Sequence, residues 1–469
     1  MVTLAIVSVS PLHTYPASTN GDTAVSTSIE PVGIGTSAPL MTAVIGTWFD
    51  SCTVTDEEKQ AALVRTCPMD FGSIDVDAVR ATTPGCHDRS FLLSAGSSLP
   101  TQETLDAVIG HLRLEAEVGG YAAADRVVDV LERGRADLAV LVGGDPDEIA
   151  LVPSDSVGWV KAWWGWVVGG NVPTGSTVFV DRLCYHSHYA ALDQTSRLGN
   201  FSIRVMPSLA DGTVDVDALD IGSDVSVVCL TMVGTHSGNV NPVSAVGRRA
   251  AAAGVPLFLD ACQVLGQLAL DVRELGCQVL TGTGRKFLRG PRGTGMVWVS
   301  RTIVDRFSPP GIDATSTPWS AADGMQIGPG VRRFEEYEVS VASMVGLASA
   351  ARQALALGAA PIERRVVALG EQLRSALADI EGVEVRDTAA RRCGIVTFTV
   401  GGVAPAGVVA AASAVGVTIN QSTSNWAAID MDAKRTAAVV RASPHYFNTT
   451  ADIDRLAAVV HDLSSARPH

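Results

Sequence analysis

The sequence predicts an α/β protein with a large, mainly parallel sheet domain followed by a smaller α/β domain. Short apolar runs alternate with helical segments, at 177–181, 225–231, 256–260, 277–282 and 295–300. The helix expected over 243–254 joins two of these runs into a β-α-β unit. Continuous apolar strands separated by helices are typical of a parallel sheet that is buried on both faces.

The chain is expected to have three segments: an N-terminal extension at 1–85, a large domain at 86–340 and a small domain at 341–469. The extension is rich in Ser, Thr, Pro and Gly and predicts no more than one helix, near 56–65. At about Val341 the pattern changes, because two helices come first and strands become fewer.

Helices open the large domain. After Pro100, the residues Leu105, Val108, Ile109 and Leu112 follow the spacing of an amphipathic helix. A second helix is expected over 122–141.

The small domain is expected to begin with two helices and to end with one. The predicted elements are helices at 341–357 and 361–380, a strand at 394–400, a helix near 405–415, a strand at 417–420 and a last helix at 451–463. Thr449 or Thr450 is expected to cap the last helix.

Composition limits the partners of this chain. A formal net charge of -14 argues against nucleic acid or an anionic membrane as the main partner. The eight cysteines include no C-x-x-C pair, which indicates reduced thiols and a cytoplasmic location. The apolar run at 157–170 is too short to cross a membrane and contains Lys161.

The stretch from Leu257 to Gly295 carries the clearest chemistry. The run LFLDACQVLG ends a predicted strand with Asp260, and TGTGRKFLRGPRGTG places Lys286 in a glycine-rich loop. Such an acid can keep a pyridinium nitrogen protonated, and such a lysine can form a Schiff base with an aldehyde. Together they predict pyridoxal phosphate (PLP) as the cofactor, with Gln263 close enough along the chain to reach the ring oxygen.

Several polar residues are candidates for the cofactor phosphate. Thr283 and Arg285 precede Lys286, and the segment SDSVGW at 154–159 precedes a predicted helix. A hydroxyl beside free backbone N–H groups suits a phosphate, so Ser156 is the candidate there and Asp155 is counted with it. Ordinary helix capping by Ser154 or Asp155 is an equally good interpretation of this segment.

Aromatic residues follow the strand at 177–181. In CYHSHYA, Tyr185 is the candidate to stack on the cofactor ring and to assist catalysis. His186 and His188 diverge on a helix and have no third ligand at a useful spacing, so we expect no metal site.

Two residues are candidates for contact with an amino-acid substrate. Arg441 precedes a loop and the last helix, and a guanidinium can hold a carboxylate with two hydrogen bonds. A surface salt bridge is the competing interpretation. Tyr121 is a weaker candidate, for assisting the leaving group.

These motifs resemble the class V (fold-type I) aminotransferase superfamily over about Phe91 to Leu463. The resemblance rests on DACQ, TGTGRKF, GPRGTG and VRASPHYFNTTADIDRL. It implies a seven-stranded-type sheet and a homodimer. It also implies that Lys286 is the Schiff-base lysine, Asp260 the pyridine-nitrogen partner and Arg441 the carboxylate ligand. Thr235 stands where an Asn is usual, and Tyr185 stands where desulfurases have His.

Within the superfamily, the segments at 112–125, 184–190 and 332–347 are most similar to ergothioneine-type and lincosamide-type C–S lyases. This resemblance implies β-elimination from a cysteine S-conjugate in specialised small-molecule metabolism, such as antibiotic biosynthesis. The alternatives are oxidative deamination coupled to decarboxylation of such a conjugate, transamination and epimerisation. The segment at 419–435 lacks the cysteine of the desulfurase-type loop.

Overall fold

A computed structural model describes residues 74–311, 313–322 and 324–466. The helix expected near 56–65 and most of the expected extension lie outside the described residues. The α-helices of the described part are α1 (Val76–Ala81), α2 (Gln102–Val118), α3 (Gly120–Asp125), α4 (Val128–Val142), α5 (Asp155–Val168), α6 (His186–Gly199), α7 (Val243–Ala252), α8 (Val272–Leu275), α9 (Val341–Leu357), α10 (Ala359–Ala378), α11 (Pro405–Ala414), α12 (Ala428–Ala433) and α13 (Thr450–Ser465).

The strands form one large sheet and smaller ones. They are β1 (Ser90–Phe91), β2 (Ile149–Val152), β3 (Thr177–Val180), β4 (Ser202–Val205), β5 (Val225–Thr231), β6 (Leu257–Asp260), β7 (Val279–Thr283), β8 (Gly295–Val299), β9 (Trp319–Ser320), β10 (Gly324–Met325), β11 (Val383–Val385), β12 (Val396–Val400), β13 (Val417–Thr418), β14 (Asn420–Thr423) and β15 (Ala438–Ala442).

The large sheet has seven strands in the order β2-β8-β7-β6-β5-β3-β4. All neighbours from β7 to β4 are parallel, and β8 is antiparallel to both β7 and β2. The mainly parallel sheet expected from the apolar runs is therefore confirmed. The central strands are buried on both faces because helices cover them, which explains why their sequences are mostly apolar.

Strand register brings polar residues together at one edge of this sheet. Thr231 at the end of β5 pairs with Asp260 at the end of β6, and Asp260 pairs with Thr281 of β7. Because parallel strands end at the same edge, this edge is where a ligand is expected to bind.

A second sheet lies in the C-terminal part. Its four strands are antiparallel in the order β11-β12-β15-β14, and α10, α11 and α13 pack with it around a separate apolar cluster. The helix α9, however, packs against α2 and α4 of the N-terminal part. The boundary at 340/341 stays a prediction.

Most predicted elements are found within a few residues of their expected ends. The strand expected at 225–231 has those bounds in the structure, and Thr449 caps α13 through a capping box with Asp452. The helix expected over 122–141 is instead two helices, because the chain breaks at Arg126 and Val127 between α3 and α4.

The apolar face predicted for α2 is only partly covered. Leu105 is 40% exposed and Leu112 is 51% exposed, whereas Thr104 and His111 are the buried residues of this helix. The spacing of the apolar residues predicted the helix correctly. It did not predict which face of α2 is buried within one chain.

In the described part of the chain, no single helix is both long and apolar enough to span a membrane; α9 and α10 pass such a test only as a pair that bends by 84°.

Candidate active site

Lys286 follows β7 and is 6% exposed. Its Nζ lies 3.1 Å from the Sγ of Cys262. The other described lysines are tied to acids: Lys161 lies 3.0 Å from Glu336, and Lys434 lies 2.8 Å from Asp430. Among the described lysines, Lys286 is therefore the one with no carboxylate partner, which leaves its amine available for covalent chemistry.

The loop that carries Lys286 is fixed by a buried arginine that sequence analysis did not identify. Arg289 donates to the backbone oxygen of Leu99 at 2.8 Å, to the hydroxyl of Tyr446 at 3.0 Å and to that of Thr83 at 2.6 Å. Its φ of 66° is left-handed, a conformation that costs energy outside glycine. These hydrogen bonds tie the loop that carries Lys286 to the surrounding structure.

Asp260 ends β6 and is 4% exposed. One carboxylate oxygen accepts the Cys262 N–H at 2.8 Å, and the other lies 3.3 Å from Nδ1 of His188. The carboxylate oxygen and Nδ1 of His188 are close enough to form an ion pair, but they are not aligned for a hydrogen bond. The acid at the strand end is thus a buried carboxyl group with a fixed orientation.

The N-terminus of α5 resolves the question of capping. Ser154 is the cap, since its hydroxyl accepts the Val157 N–H, whereas the Asp155 carboxylate accepts a hydrogen bond from Nε2 of His188 at 3.1 Å. Ser156 remains at the helix end with its hydroxyl 2.9 Å from that of Ser187. Because a carboxylate repels a phosphate, a side-chain contact with the phosphate suits Ser156 more than Asp155. The part of each residue in cofactor binding stays a prediction.

Glycine lets this helix end approach the sheet. A Cβ on Gly295 would lie 2.7 Å from the backbone carbon of Ser154 and from the oxygen of Gly282. A side chain at Gly295 would therefore displace the start of α5.

Gln263, Thr235 and Arg441 form one hydrogen-bonded group. The Thr235 hydroxyl accepts from Gln263 at 3.3 Å and from Arg441 at 2.9 Å. Arg441 also donates to the backbone oxygen of Thr235 at 2.6 Å. The Gln263 Oε1 and the Arg441 Nε are buried without a hydrogen-bond partner, and such orphaned atoms are expected where a polar ligand binds.

Arg441 is a buried cation with no carboxylate paired to it among the residues that the structure describes. Burial lowers its pKa to about 10, and the nearby charge of Arg285 acts in the same direction. The competing interpretation, a surface salt bridge, is therefore wrong. Two cations this close to each other favour binding of an anion.

Arg285 and Thr283 have different environments. Arg285 donates to the backbone oxygen of Gly96 and is only partly buried. Thr283 is 3% exposed, and its hydroxyl donates to the backbone oxygen of Thr294 at 3.2 Å. The part of Thr283 and Arg285 in phosphate binding stays a prediction.

Tyr185 lies at the start of α6, half-buried, with burial raising its pKa. Its ring is parallel to that of Trp426, with centroids 6.0 Å apart and planes at 4°. Trp426 lies in the segment at 419–435 and was not identified from the sequence.

Tyr121 is not brought to this site within one chain. It lies on α3, is 78% exposed and has Tyr337 as a neighbour. The reason is that the chain turns at Gly119, whose φ is 83°, and α3 leaves this tyrosine on the surface.

His188 is the main residue that sequence analysis missed at this site. It is fully buried, stacks on Trp159 with centroids 4.3 Å apart, and faces both Asp155 and Asp260. The available signal was its position three residues after Tyr185, which is one helical turn.

Asp155, His188 and Asp260 also hold three possible metal-ligand atoms within 4.8 Å of one another, among the residues described. Burial alone would lower the pKa of His188, but Asp260 and Asp155 together raise it to about 9. The two carboxylates favour the protonated imidazole, a form that has no lone pair to offer a metal. We therefore interpret this group as an ion triad.

The residues present fit PLP. A lysine free of ion pairs, an oriented buried carboxylate, a helix N-terminus with Ser156 and the orphaned oxygen of Gln263 lie around one edge of the sheet. These are the groups needed for the aldehyde, the ring nitrogen, the phosphate and the ring hydroxyl.

Fold and site together define a fold-type I PLP enzyme. The family model described as aminotransferase class-V matches residues 90–456, and the chain belongs to this family. Its cofactor is PLP.

Two curated relatives have names that refer to C–S chemistry. The chain is 31% identical over 396 residues to a probable hercynylcysteine sulfoxide lyase of Mycobacterium tuberculosis, covering 83% of this chain and 93% of that protein. It is 26% identical over 404 residues to a probable cysteine desulfurase 2 of Mycobacterium leprae, covering 82% and 96%.

Solved structures share the fold. A cysteine desulfurase of Escherichia coli superposes with a TM-score of 0.77 at 20% identity, covering 84% of this chain and 99% of that chain. A cystine C–S lyase in complex with cysteine persulfide superposes with a TM-score of 0.71 at 20% identity, covering 81% and 99%.

Proposed function

We propose that this enzyme is a C–S lyase that performs β-elimination on a cysteine S-conjugate. The reaction takes one conjugate and one water to a thiol, pyruvate and ammonia. The observation that carries the proposal is a buried Arg441 and a buried Lys286 that form no salt bridge among the described residues, at a site where the described chain offers no thiol suited to accept sulfur.

Different residues of the chain bind the substrate, remove its α-proton and contact the cofactor ring. Bound PLP supplies an electron-withdrawing ring that makes the α-proton of an amino acid removable. Arg441 binds the α-carboxylate through its guanidinium, and Thr235 fixes the direction of that guanidinium. Lys286 Nζ is the base that takes the α-proton, since it is the amine in the site. Asp260 holds the charge that faces the ring nitrogen.

The state of the chain's own cysteines favours lyase chemistry over transfer of sulfur to the enzyme. A sulfur acceptor has to be a thiolate. Cys262 is the one described cysteine that keeps some solvent exposure, and desolvation of its sulfur together with the charge of Asp155 raises its pKa far above the usual value. This environment disfavours the thiolate that a sulfur acceptor needs.

The segment at 419–435 supports the same choice. It contains no cysteine, and it places Trp426, 48% exposed, against Tyr185. An aromatic surface beside the site suits an organic group on sulfur more than it suits bare cysteine. The relative named as a hercynylcysteine sulfoxide lyase acts on such a conjugate by its name.

The product set tests the proposal. Incubation with S-benzyl-L-cysteine is expected to release benzyl thiol, pyruvate and ammonia in equal amounts, with Lys286→Ala as the inactive control. Release of carbon dioxide with consumption of oxygen would instead identify the oxidative deaminase.

A second candidate is a cysteine desulfurase, which the relative from Mycobacterium leprae favours. Free L-cysteine separates the two activities: desulfuration leaves alanine, whereas elimination leaves pyruvate and ammonia. We expect pyruvate.

We also propose a homodimer acting on a small-molecule amino acid in the cytoplasm. The exposed apolar side chains on α2 to α4, which include Leu105, Leu112 and Val128, support association of two copies. The size of the particle in solution, from analytical ultracentrifugation, tests the dimer.

A further inference from the structure

His188 lies between two buried carboxylates. Its Nε2 is 3.1 Å from Asp155 Oδ2 and its Nδ1 is 3.3 Å from Asp260 Oδ2. The three residues are 0%, 3% and 4% exposed, so water does not screen their charges. The imidazole is further fixed by stacking on Trp159 with planes at 17°.

Two buried carboxylates this close to each other cannot both stay ionised without a cation between them, since like charges in a site raise the pKa of one acid. A further buried acid nearby adds to the repulsion between the two carboxylates. Asp181 also faces Asp260, and burial raises the pKa of Asp181 to about 7 with a further contribution from Asp260. On the other side, Asp155 faces Thr281, Lys286 and Cys262.

Of the cations at this site, His188 is the one in contact with both acids. Burial would raise the pKa of Asp155, but the charge and hydrogen bond of His188 lower it below its usual value. The charge of Lys286 acts on Asp155 as well, but Lys286 is needed as a neutral amine during catalysis. His188 is thus the counter-ion that contacts both acids.

We propose that His188 is a positioning residue that acts as a buried imidazolium, anchored by Asp155, and keeps Asp260 ionised and oriented for the ring nitrogen of PLP. The effect passes from Asp155 through His188 to Asp260 and does not require His188 to touch PLP or substrate. The inference rests on the cofactor site at Asp260 and holds whichever C–S reaction the enzyme performs.

Removal of the cation and removal of the second acid have opposite consequences. In His188→Gln the two carboxylates share one buried site, so one of them takes up a proton and Asp260 loses part of its charge. In His188→Gln/Asp155→Asn only Asp260 remains, and it can stay ionised. A role in packing alone would make the double variant at least as defective as the single one.

The experiment measures the binding of PLP to apoenzyme by absorbance, together with the pH titration of the visible band. We expect His188→Gln to bind PLP roughly 10- to 100-fold more weakly, and the double variant to recover most of that loss. His111→Gln, a buried histidine on α2, is the matched control and is expected to bind PLP as the wild type does.

Asp155→Asn provides a second test if His188→Gln does not fold. Loss of one anion lowers the pKa of His188, so the alkaline change in the visible band is expected at lower pH than in wild type. An unshifted band in Asp155→Asn, unchanged PLP affinity in His188→Gln, or no recovery in the double variant would each overturn the proposal.

Discussion

At the scale of single residues, the site is marked by buried, positively charged side chains that lack a carboxylate partner or leave a nitrogen without a hydrogen bond. Other described lysines and a buried arginine have partners for these groups. Lys161 and Lys434 are paired with acids and Lys286 is not. Arg289 makes several hydrogen bonds to the surrounding structure, whereas Arg441 keeps its Nε free. A buried charge without a partner costs stability, so its retention indicates a ligand.

Substitution of Arg441 tests its role as the carboxylate ligand. Arg441→Gln is expected to raise the KM for a cysteine conjugate roughly 10- to 100-fold, which corresponds to loss of a charged hydrogen-bonded contact. Arg332→Gln is the control, because Arg332 pairs with Glu132 on the surface. Equal KM values in Arg441→Gln and wild type would contradict the assignment.

The pKa of His188 predicts how stability depends on pH. A raised pKa means that its contribution is present in full below about pH 6.5 and is lost as pH rises through about 9. The difference in melting temperature between wild type and His188→Gln should therefore shrink between pH 6 and pH 9.5. A constant difference across this range would show that His188 is not held as a cation.

Trp426 is expected to contribute to recognition of the group on sulfur. Trp426→Ala should raise the KM for S-benzyl-L-cysteine more than that for S-methyl-L-cysteine, because only the first has an aromatic ring to stack. Trp319→Ala, which removes a tryptophan that is 72% exposed, serves as the control. Equal effects on both substrates would remove Trp426 from the recognition surface.

At the scale of elements, the N-terminus of α5 and the ends of β6 and β7 are brought together by close backbone packing. Gly295→Ala is expected to destabilise the protein by about 1–3 kcal/mol, since the added Cβ meets backbone atoms that cannot rotate away. It should also weaken PLP binding, because the start of α5 moves.

The control for this substitution is Gly110→Ala on α2, where a Cβ would meet nothing within 4 Å. There we expect a gain in stability of about 0.5–1 kcal/mol from helix propensity. Thermal unfolding of both variants gives the comparison, and a stable Gly295→Ala with normal PLP binding would contradict the packing argument.

Elements could be predicted from sequence where one pattern is continuous. β5 is mostly apolar and almost entirely buried, so its bounds were predicted correctly. β4 is an edge strand with a mostly exposed surface, and nothing in Ser202–Val205 distinguishes it from a loop. The break between α3 and α4 was missed because Arg126 and Val127 carry no Gly or Pro signal.

Candidate site residues show the same limit. Lys286, Asp260 and Arg441 stand in local motifs, so the chemistry of each could be inferred from its neighbours in sequence. His188 is different, because Asp155 and Asp260 are distant along the chain and only the fold brings them to its two nitrogens. Tyr121 is the opposite case: its local sequence was suggestive, but its helix leaves it exposed in the single chain, and its role stays a prediction.

At the scale of the whole molecule, the large sheet provides the cofactor site and the C-terminal sheet provides Arg441 from β15. Arg441 contacts Thr235, which follows β5, so the proposed substrate site includes residues of both sheets. The partly exposed apolar face of α2 is expected to be covered by a second copy. Leu112→Glu should lower the dimer fraction in sedimentation, and an unchanged dimer would place the interface elsewhere.

The position of the covalent link to PLP is the most direct test. The chain has four lysines, Lys59, Lys161, Lys286 and Lys434. Borohydride reduction of the holoenzyme followed by peptide mass spectrometry should place the pyridoxyl group on Lys286. Its presence on any of the other three lysines, with Lys286 unmodified, would contradict the assignment of Lys286 as the residue that binds the cofactor covalently.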